Sequence, residues 1–304
     1  MESASGANEA APLWLRLAPG IFLLLWSGGF AFAKIGLAHA EPITLLATRY
    51  AMVLVLLLPL WPFVRPPMPT RRIDWLHLVV IGFLIQVFYF GLAYFGFKLG
   101  ISAGAMALIV SLQPVLVAML APAMVGERVG IQRWIGLGFG LAGAGLVIVA
   151  RSAVEVTSIA GLLCAVGALI GMSSATLYEK RFGVRQHPLV ANLVYYAVGL
   201  AGTLPVAWLT EDMHIDWSPG FIIAIGYLVV GNSLISISLL LAMIRRGEAS
   251  RVSALFFLVP PSAALIAWGL IGESMPPLAW AGLGLAAFGV ALASRSVKPA
   301  EEIS

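Results

Sequence analysis

Charge is scarce in this chain. Of its 304 residues only 11% are Asp, Glu, Lys or Arg, against about 25% in soluble domains, while 61% are hydrophobic and the mean hydropathy is +0.98. A water-soluble globule is excluded. Cysteine is nearly absent too: Cys164 stands alone, which rules out an intramolecular disulfide and any multi-cysteine metal site and leaves it a packing role. All fourteen acidic residues fall outside or at the ends of the long apolar runs. The interior of those runs therefore offers no acid pair, no Cys/His arrangement and no metal-ligand cluster, so the sequence argues against an enzyme and calls for neither cofactor nor metal. There is no GxxxxGK[ST] segment to cradle ATP phosphates, which argues against a primary pump.

What is present is apolar sequence in runs of about 18 to 25 residues, each long enough to cross about 30 Å of hydrocarbon as a helix. Ten such spans are expected, at 17–38, 42–63, 75–97, 102–124, 132–150, 158–178, 188–210, 220–244, 250–271 and 277–295. The runs are continuously apolar rather than alternating, which argues against a β-barrel. MESASGANEAAPLW at the start lacks the positive charge and small-residue cleavage site of a secretory signal, so the first span is expected to remain.

The net charge of +4 and pI near 9.4 do not indicate a nucleic-acid partner, because of where the bases sit. Fourteen of the eighteen Lys and Arg lie in the termini or the loops after even-numbered spans; the exceptions are Lys34, Arg49, Lys98 and Arg151. The positive-inside rule then puts both termini in the cytoplasm. Residues 1–16 and 296–304 read as cytoplasmic tails.

The chain also repeats itself. GERVGIQRWIGLGFGLAG at 126–143 and GESMPPLAWAGLGLAAFG at 272–289 share Gly, Glu, Trp and three further Gly at an offset of 146. Lys34, Pro42, Pro59, Pro114 and Ala118 meet Lys180, Pro188, Pro205, Pro260 and Ala264 at the same offset, and the register moves to 144 where IGF at 81–83 matches IGY at 225–227. Residues 17–150 and 158–295 thus form two five-helix repeats. An odd number of helices makes the second repeat enter the membrane from the opposite side, so the expected fold is an all-α integral membrane protein of two inverted repeats, the plan of many secondary transporters. Glu127 and Glu273 read as helix N-terminal caps, and Gly136, Gly138 and Gly143, with Gly282, Gly284 and Gly289, as small surfaces for close helix approach.

LQPVLVAMLAPAMVGERVGIQRWIGLGFGLAG and LVPPSAALIAWGLIGESMPPLAWAGLGLAAFG resemble two copies of the end of an EamA domain in the drug/metabolite transporter superfamily, with WSGGFAFAKIGL and TRY extending the likeness. The resemblance implies a ten-helix exporter with cytoplasmic termini. Whole-chain similarity points to the amino-acid exporter subgroup, including exporters of aromatic amino acids, in a bacterial inner membrane. Small multidrug exporters of this superfamily carry a Glu in their first helix, where FLLLWSGGFAF has none.

Pro114 and Pro260 lie about half-way along their spans, where proline interrupts a helix and frees carbonyls, so they are candidate gating positions. Ser27, Gln86, Gln113, Asn232, Ser233 and Ser236 are polar groups near span centres and candidate cavity-lining residues; Gln86 with Tyr89, and Asn232 with Ser236, have the spacing of one helical face. Tyr89 and Tyr94 in the aromatic third span, with Trp26 and Trp268, could offer π surface to a ligand. Arg49 is the one basic residue well inside a span, at a cost of about 2.5 to 3.5 kcal/mol; a substrate carboxylate, helix-end carbonyls or water would stabilise it. Its repeat equivalent is Tyr195.

The expected function is export of small molecules, aromatic and other neutral amino acids and related amphipathic metabolites, through a central cavity. With no membrane carboxylate, transport is expected down the substrate's own gradient or coupled through an unrecognised group. The alternative is a broad exporter of drugs or lipophilic cations, with or without proton coupling.

Overall fold

The computed structural model describes residues 13–101, 106, 109–151, 158–183, 186–246, 252–271 and 276–294. Among these the regular elements are all helices, and an isolated bridge joins Ala40 to Ile215. In chain order the helices are α1 (Leu13–Leu37), α2 (Pro42–Val64), α3 (Arg72–Lys98), α4 (Gln113–Val125), α5 (Ile131–Arg151), α6 (Ile159–Phe182), α7 (Pro188–Thr210), α8 (Pro219–Arg246), α9 (Val259–Ile271) and α10 (Pro277–Ser294). Seven of them, α1 from Leu17, α2, α3, α6, α7, α8 and α10, are long and apolar enough to cross a bilayer; α4 and a segment at Ala254–Ala263 are shorter apolar helices. Large apolar side chains such as Val55, Phe63, Ile159 and Leu209 face outward, the surface of a protein whose solvent is lipid.

Proline sets many of the helix starts. Pro42, Pro114, Pro188, Pro219 and Pro277 all lie in first turns, where the missing N–H has no intrahelical partner to lose. Gly126 ends α4 with φ of 72°, the left-handed geometry that glycine takes without strain.

The packing follows the sequence repeat. α1 packs on α8 and on α9, as α6 packs on α3 and on α4; α2 meets α7, and α5 meets α10 in the most extensive contact of the bundle. The equivalent helices α5 and α10 run antiparallel. Along α5, Gly136 abuts Gly289 and Ala293, and Gly143 abuts Gly282 and Ala286, so the partner residue number falls as the first rises. These four glycines meet backbone to backbone, and a Cβ at any of them would strike it. Gly138 and Gly284 do not share this role: open space surrounds both, because they fall on the other side of their helices. Glu127 lies in the 126–130 link, just before α5 begins at Ile131. Glu273 lies outside the described residues.

Midway along α3 and α8 the ladder widens into π-helix, at Phe83–Tyr89 and Leu228–Ser236. The second segment has nine residues against seven. Wider turns leave carbonyls without an α-helical partner. Tyr50 donates to the Gln86 carbonyl at 2.8 Å and its repeat equivalent Tyr196 donates to the Ser233 carbonyl at 2.7 Å. The two rings lie 5.5 Å apart where α2 crosses α7.

Ion pairs tie both ends of the bundle. At one, Glu211 accepts from the backbone N–H groups of Ile43 and Thr44 at 3.1 and 2.7 Å and so caps α2 from the far end of α7; Lys98 pairs with Glu41 at 3.2 Å and Glu211 at 3.4 Å. At the other, Glu179 near the end of α6 pairs with Arg245 near the end of α8. Glu179 corrects the sequence reading: α6 runs four residues beyond the expected 178 and carries this acid, fully buried, within the helix.

Candidate functional site

Arg49 organises the centre. It lies in α2 with 1% of its surface exposed. Its Nε donates to Ser233 Oγ at 2.6 Å and its Nη2 to Asn232 Oδ1 at 2.7 Å, both acceptors on the π segment of α8. The guanidinium carbon sits 4.7 Å from the centroid of the Phe90 ring. Hydrogen bonds to a charged group contribute about 1.5 to 3 kcal/mol each and a desolvated cation–π contact about 2, enough to offset the insertion cost without a counter-ion. Among the described residues, its hydrogen-bond partners are all neutral.

Beside Arg49 lies a cavity of about 70 Å³, room for several waters. Trp26 forms its floor, with ring centroids at 6.4 Å from Tyr89, 5.9 Å from Phe90 and 5.5 Å from Phe256. Tyr94, Phe97 and Asn232 complete the wall from α3 and α8. Gly29 admits Asn232: a Cβ there would lie 2.6 Å from the Asn232 amide nitrogen.

The cavity reaches both interrupted helices. α4 restarts at Gln113 after a turn at Ser111–Leu112, and α9 restarts at Val259 after a 3-10 turn at Ala254–Leu258. Pro114 and Pro260 each lie in the first turn of the resumed helix, and the residues four before them, Val110 and Phe256, both line the cavity. Pro260 is itself on the wall, whereas Pro114 is buried behind it.

Of the sequence candidates, Arg49, Tyr89, Tyr94, Asn232 and Pro260 meet on this wall. Ser233 stands behind Arg49 as its acceptor. Ser236 turns to α1, 3.5 Å from the Phe22 carbonyl, and so does not share the cavity with Asn232. Gln86 likewise parts from Tyr89: its backbone takes the Tyr50 bond and its side chain packs near Gly199 between α2 and α7. In both cases the wider π turn changes the faces that α-helical spacing implies. Gln113 bridges α4 to Thr176 of α6 at 3.3 Å. Ser27 is buried beside the cavity without facing it, and its hydroxyl has no hydrogen-bond partner among the described residues. Trp268 is a correction: half-exposed on the outside of α9, it packs edge-on against Trp280 and faces away from the cavity. Sequence reasoning missed Phe256 and Ser111; their places just before the paired prolines were the available signal. Among the described residues no group of His, Cys, Asp and Glu could hold a metal.

Comparison with known proteins agrees with the two-repeat architecture. The family model described as EamA-like transporter matches twice, at residues 18–149 and 159–295. A probable amino-acid metabolite efflux pump of Salmonella typhimurium is 25% identical over 275 residues, 86% of this chain and 88% of that protein. The inner membrane transporter YedA of Escherichia coli is 22% identical over 271 residues, 88% and 87% of the two chains. A solved crystal structure superimposes with a TM-score of 0.78 at 18% identity, covering 92% of this chain and 97% of the other, and shares the fold. This helical membrane protein belongs to the EamA-like transporter family.

Proposed function

We propose that this protein exports aromatic and other neutral amino acids from the cytoplasm, through alternating access to the central cavity. The proposal includes ten spans in two inverted repeats, both termini cytoplasmic, a bacterial inner membrane and no ion coupling. One observation carries it: Arg49 lies on the wall of an aromatic-lined cavity between two interrupted helices, a place to pair a carboxylate and stack a ring. The antiparallel pairing of α5 with α10, the asymmetry of Lys and Arg and the Salmonella relative's name support the same reading.

The alternative, a broad exporter of lipophilic cations, is disfavoured by the same residue, since Arg49 repels a cation and none of the described wall residues is acidic. The test is efflux from liposomes containing the purified protein and loaded in turn with phenylalanine, threonine and a lipophilic cation. Phenylalanine is expected to leave; release of the cation alone overturns the proposal. Strict dependence of efflux on a proton gradient would overturn the uncoupled form only.

A further inference from the structure

The cavity wall carries charge of one sign. Arg49 spends two of its five N–H groups on the neutral side chains of Asn232 and Ser233, and its guanidinium remains part of the wall. None of the described wall residues is acidic, and residues 102–108, which include the wall residue Met106, contain no Asp or Glu in sequence. Of the acids within the described spanning helices, Asp74 lies in the first turn of α3, and Glu179 is near the end of α6 and held by Arg245.

An aromatic amino acid entering as a zwitterion brings two charges to this place. Its carboxylate gains Arg49 in bidentate or single-contact geometry. Its ammonium loses water, finds no counter-charge, and is repelled by the guanidinium a few atoms away. The rings of Trp26 and Phe256 can soften that loss, but they do not supply an opposite charge. A molecule with the same ring and carboxylate but an acylated or absent amine leaves no charge uncompensated.

Building on the amino-acid reading above, we infer that the preferred cargo is the monoanion: an aromatic carboxylate whose amine is blocked or missing, taken in preference to the zwitterion. The energetics of export then follow without a proton-carrying residue. Each transport cycle moves one net negative charge outward whatever the path of the protein's own charges, so an inside-negative membrane potential drives the cargo out. From 2.3 kcal/mol per charge per 100 mV, and about 1.4 kcal/mol per tenfold ratio, about 100 mV sustains an outside-to-inside ratio of about 50. The zwitterion gains nothing from the same potential.

The experiment uses the full chain in liposomes at neutral pH, loaded with phenylalanine, N-acetylphenylalanine or phenethylamine, with a potassium diffusion potential set by valinomycin and protein-free vesicles as the blank. N-acetylphenylalanine is expected to leave about tenfold faster than phenylalanine. Its efflux should accelerate when the interior is made negative and slow when the sign is reversed, while phenylalanine flux ignores the potential. R49Q should lower N-acetylphenylalanine flux about tenfold and R49K less. The comparison of substrates on the unaltered protein stands even if a variant does not fold. Phenylalanine leaving as fast as N-acetylphenylalanine, or N-acetylphenylalanine efflux indifferent to the potential, overturns this inference and leaves amino-acid export intact. Phenethylamine moving while both carboxylates stay overturns both.

Discussion

A guanidinium held at 2.6 and 2.7 Å by two neutral side chains, with a ring across its face, is positioned before any ligand arrives. Its planar, forked donors keep a fixed orientation that a lysine on a flexible stem would not. Phe90 contributes through its π face, so Phe90→Leu should weaken the site by about 0.5 to 2 kcal/mol, read as a several-fold loss in substrate affinity or flux with insertion unchanged; unaltered flux would remove the ring from the account. Arg49 was visible in the sequence because a charge inside an apolar run has few bland explanations. Phe90 and Phe256 were not distinguishable there, since aromatics are ordinary packing residues in membranes and only the fold brings them to one wall. Trp268 looked equivalent to them and faces the other way, because residue type alone does not say which side of a helix meets lipid. Glu179 escaped notice by one residue of helix boundary.

At the scale of elements, one device acts within each repeat and a second joins the two repeats. The π segments of α3 and α8 each present a carbonyl to a tyrosine on the crossing helix. Tyr50→Phe and Tyr196→Phe should each cost about 1 to 3 kcal/mol by orphaning a buried acceptor, measured as a lower unfolding midpoint in detergent, and the two losses should be similar because the bonds are equivalent. The second device is the glycine contact of α5 with α10. Gly136→Leu or Gly143→Leu must push backbones apart and should sharply reduce the yield of monodisperse protein, whereas Gly138→Leu, facing open space, should be tolerated. Equal yields from all three would contradict the packing. The repeat, the helix order and the breaks before the two prolines were legible in the sequence, for they depend on spacing along the chain. The π segments were not: an α-helical reading of Gln86 with Tyr89, or Asn232 with Ser236, assumes 3.6 residues per turn throughout, and nothing in residue type announces a local change of pitch.

The molecule as a whole is latched at two ends, by Lys98 with Glu41 and Glu211 at one and by Glu179 with Arg245 at the other. With Cys164 replaced by Ser, a cysteine at Ala93 on the cavity wall gives a readout of access. Lys98→Met should speed its labelling by a membrane-impermeant reagent from one side, and Arg245→Met from the other; identical sidedness would contradict separate latches. The first latch also predicts a pH dependence. The Asp212 backbone N–H, with Lys98 adding to it, holds the Glu41 carboxyl below its usual value against the opposing cost of desolvation. A lowered carboxyl stabilises the folded protein above its ordinary value of about 4.3, and that contribution disappears as pH falls through the lowered one. The unfolding midpoints of the unaltered protein and Glu41→Gln should therefore differ slightly at neutral pH and converge in acid; a gap that widened on acidification would reverse the sign and refute the assignment.

Tyr50 and Tyr196 meet across the contact of two equivalent helices, but their chain neighbours do not match: Arg49 in one half corresponds to Tyr195 in the other. A dimer assembled from two identical halves could not make that distinction. It would bring two guanidiniums into the same membrane interior, repelling each other, or none. Joining the halves in one gene frees each copy to diverge, and here the divergence leaves a solitary positive charge at the heart of an otherwise duplicated scaffold. A single polypeptide is thus what makes an odd number of charges possible.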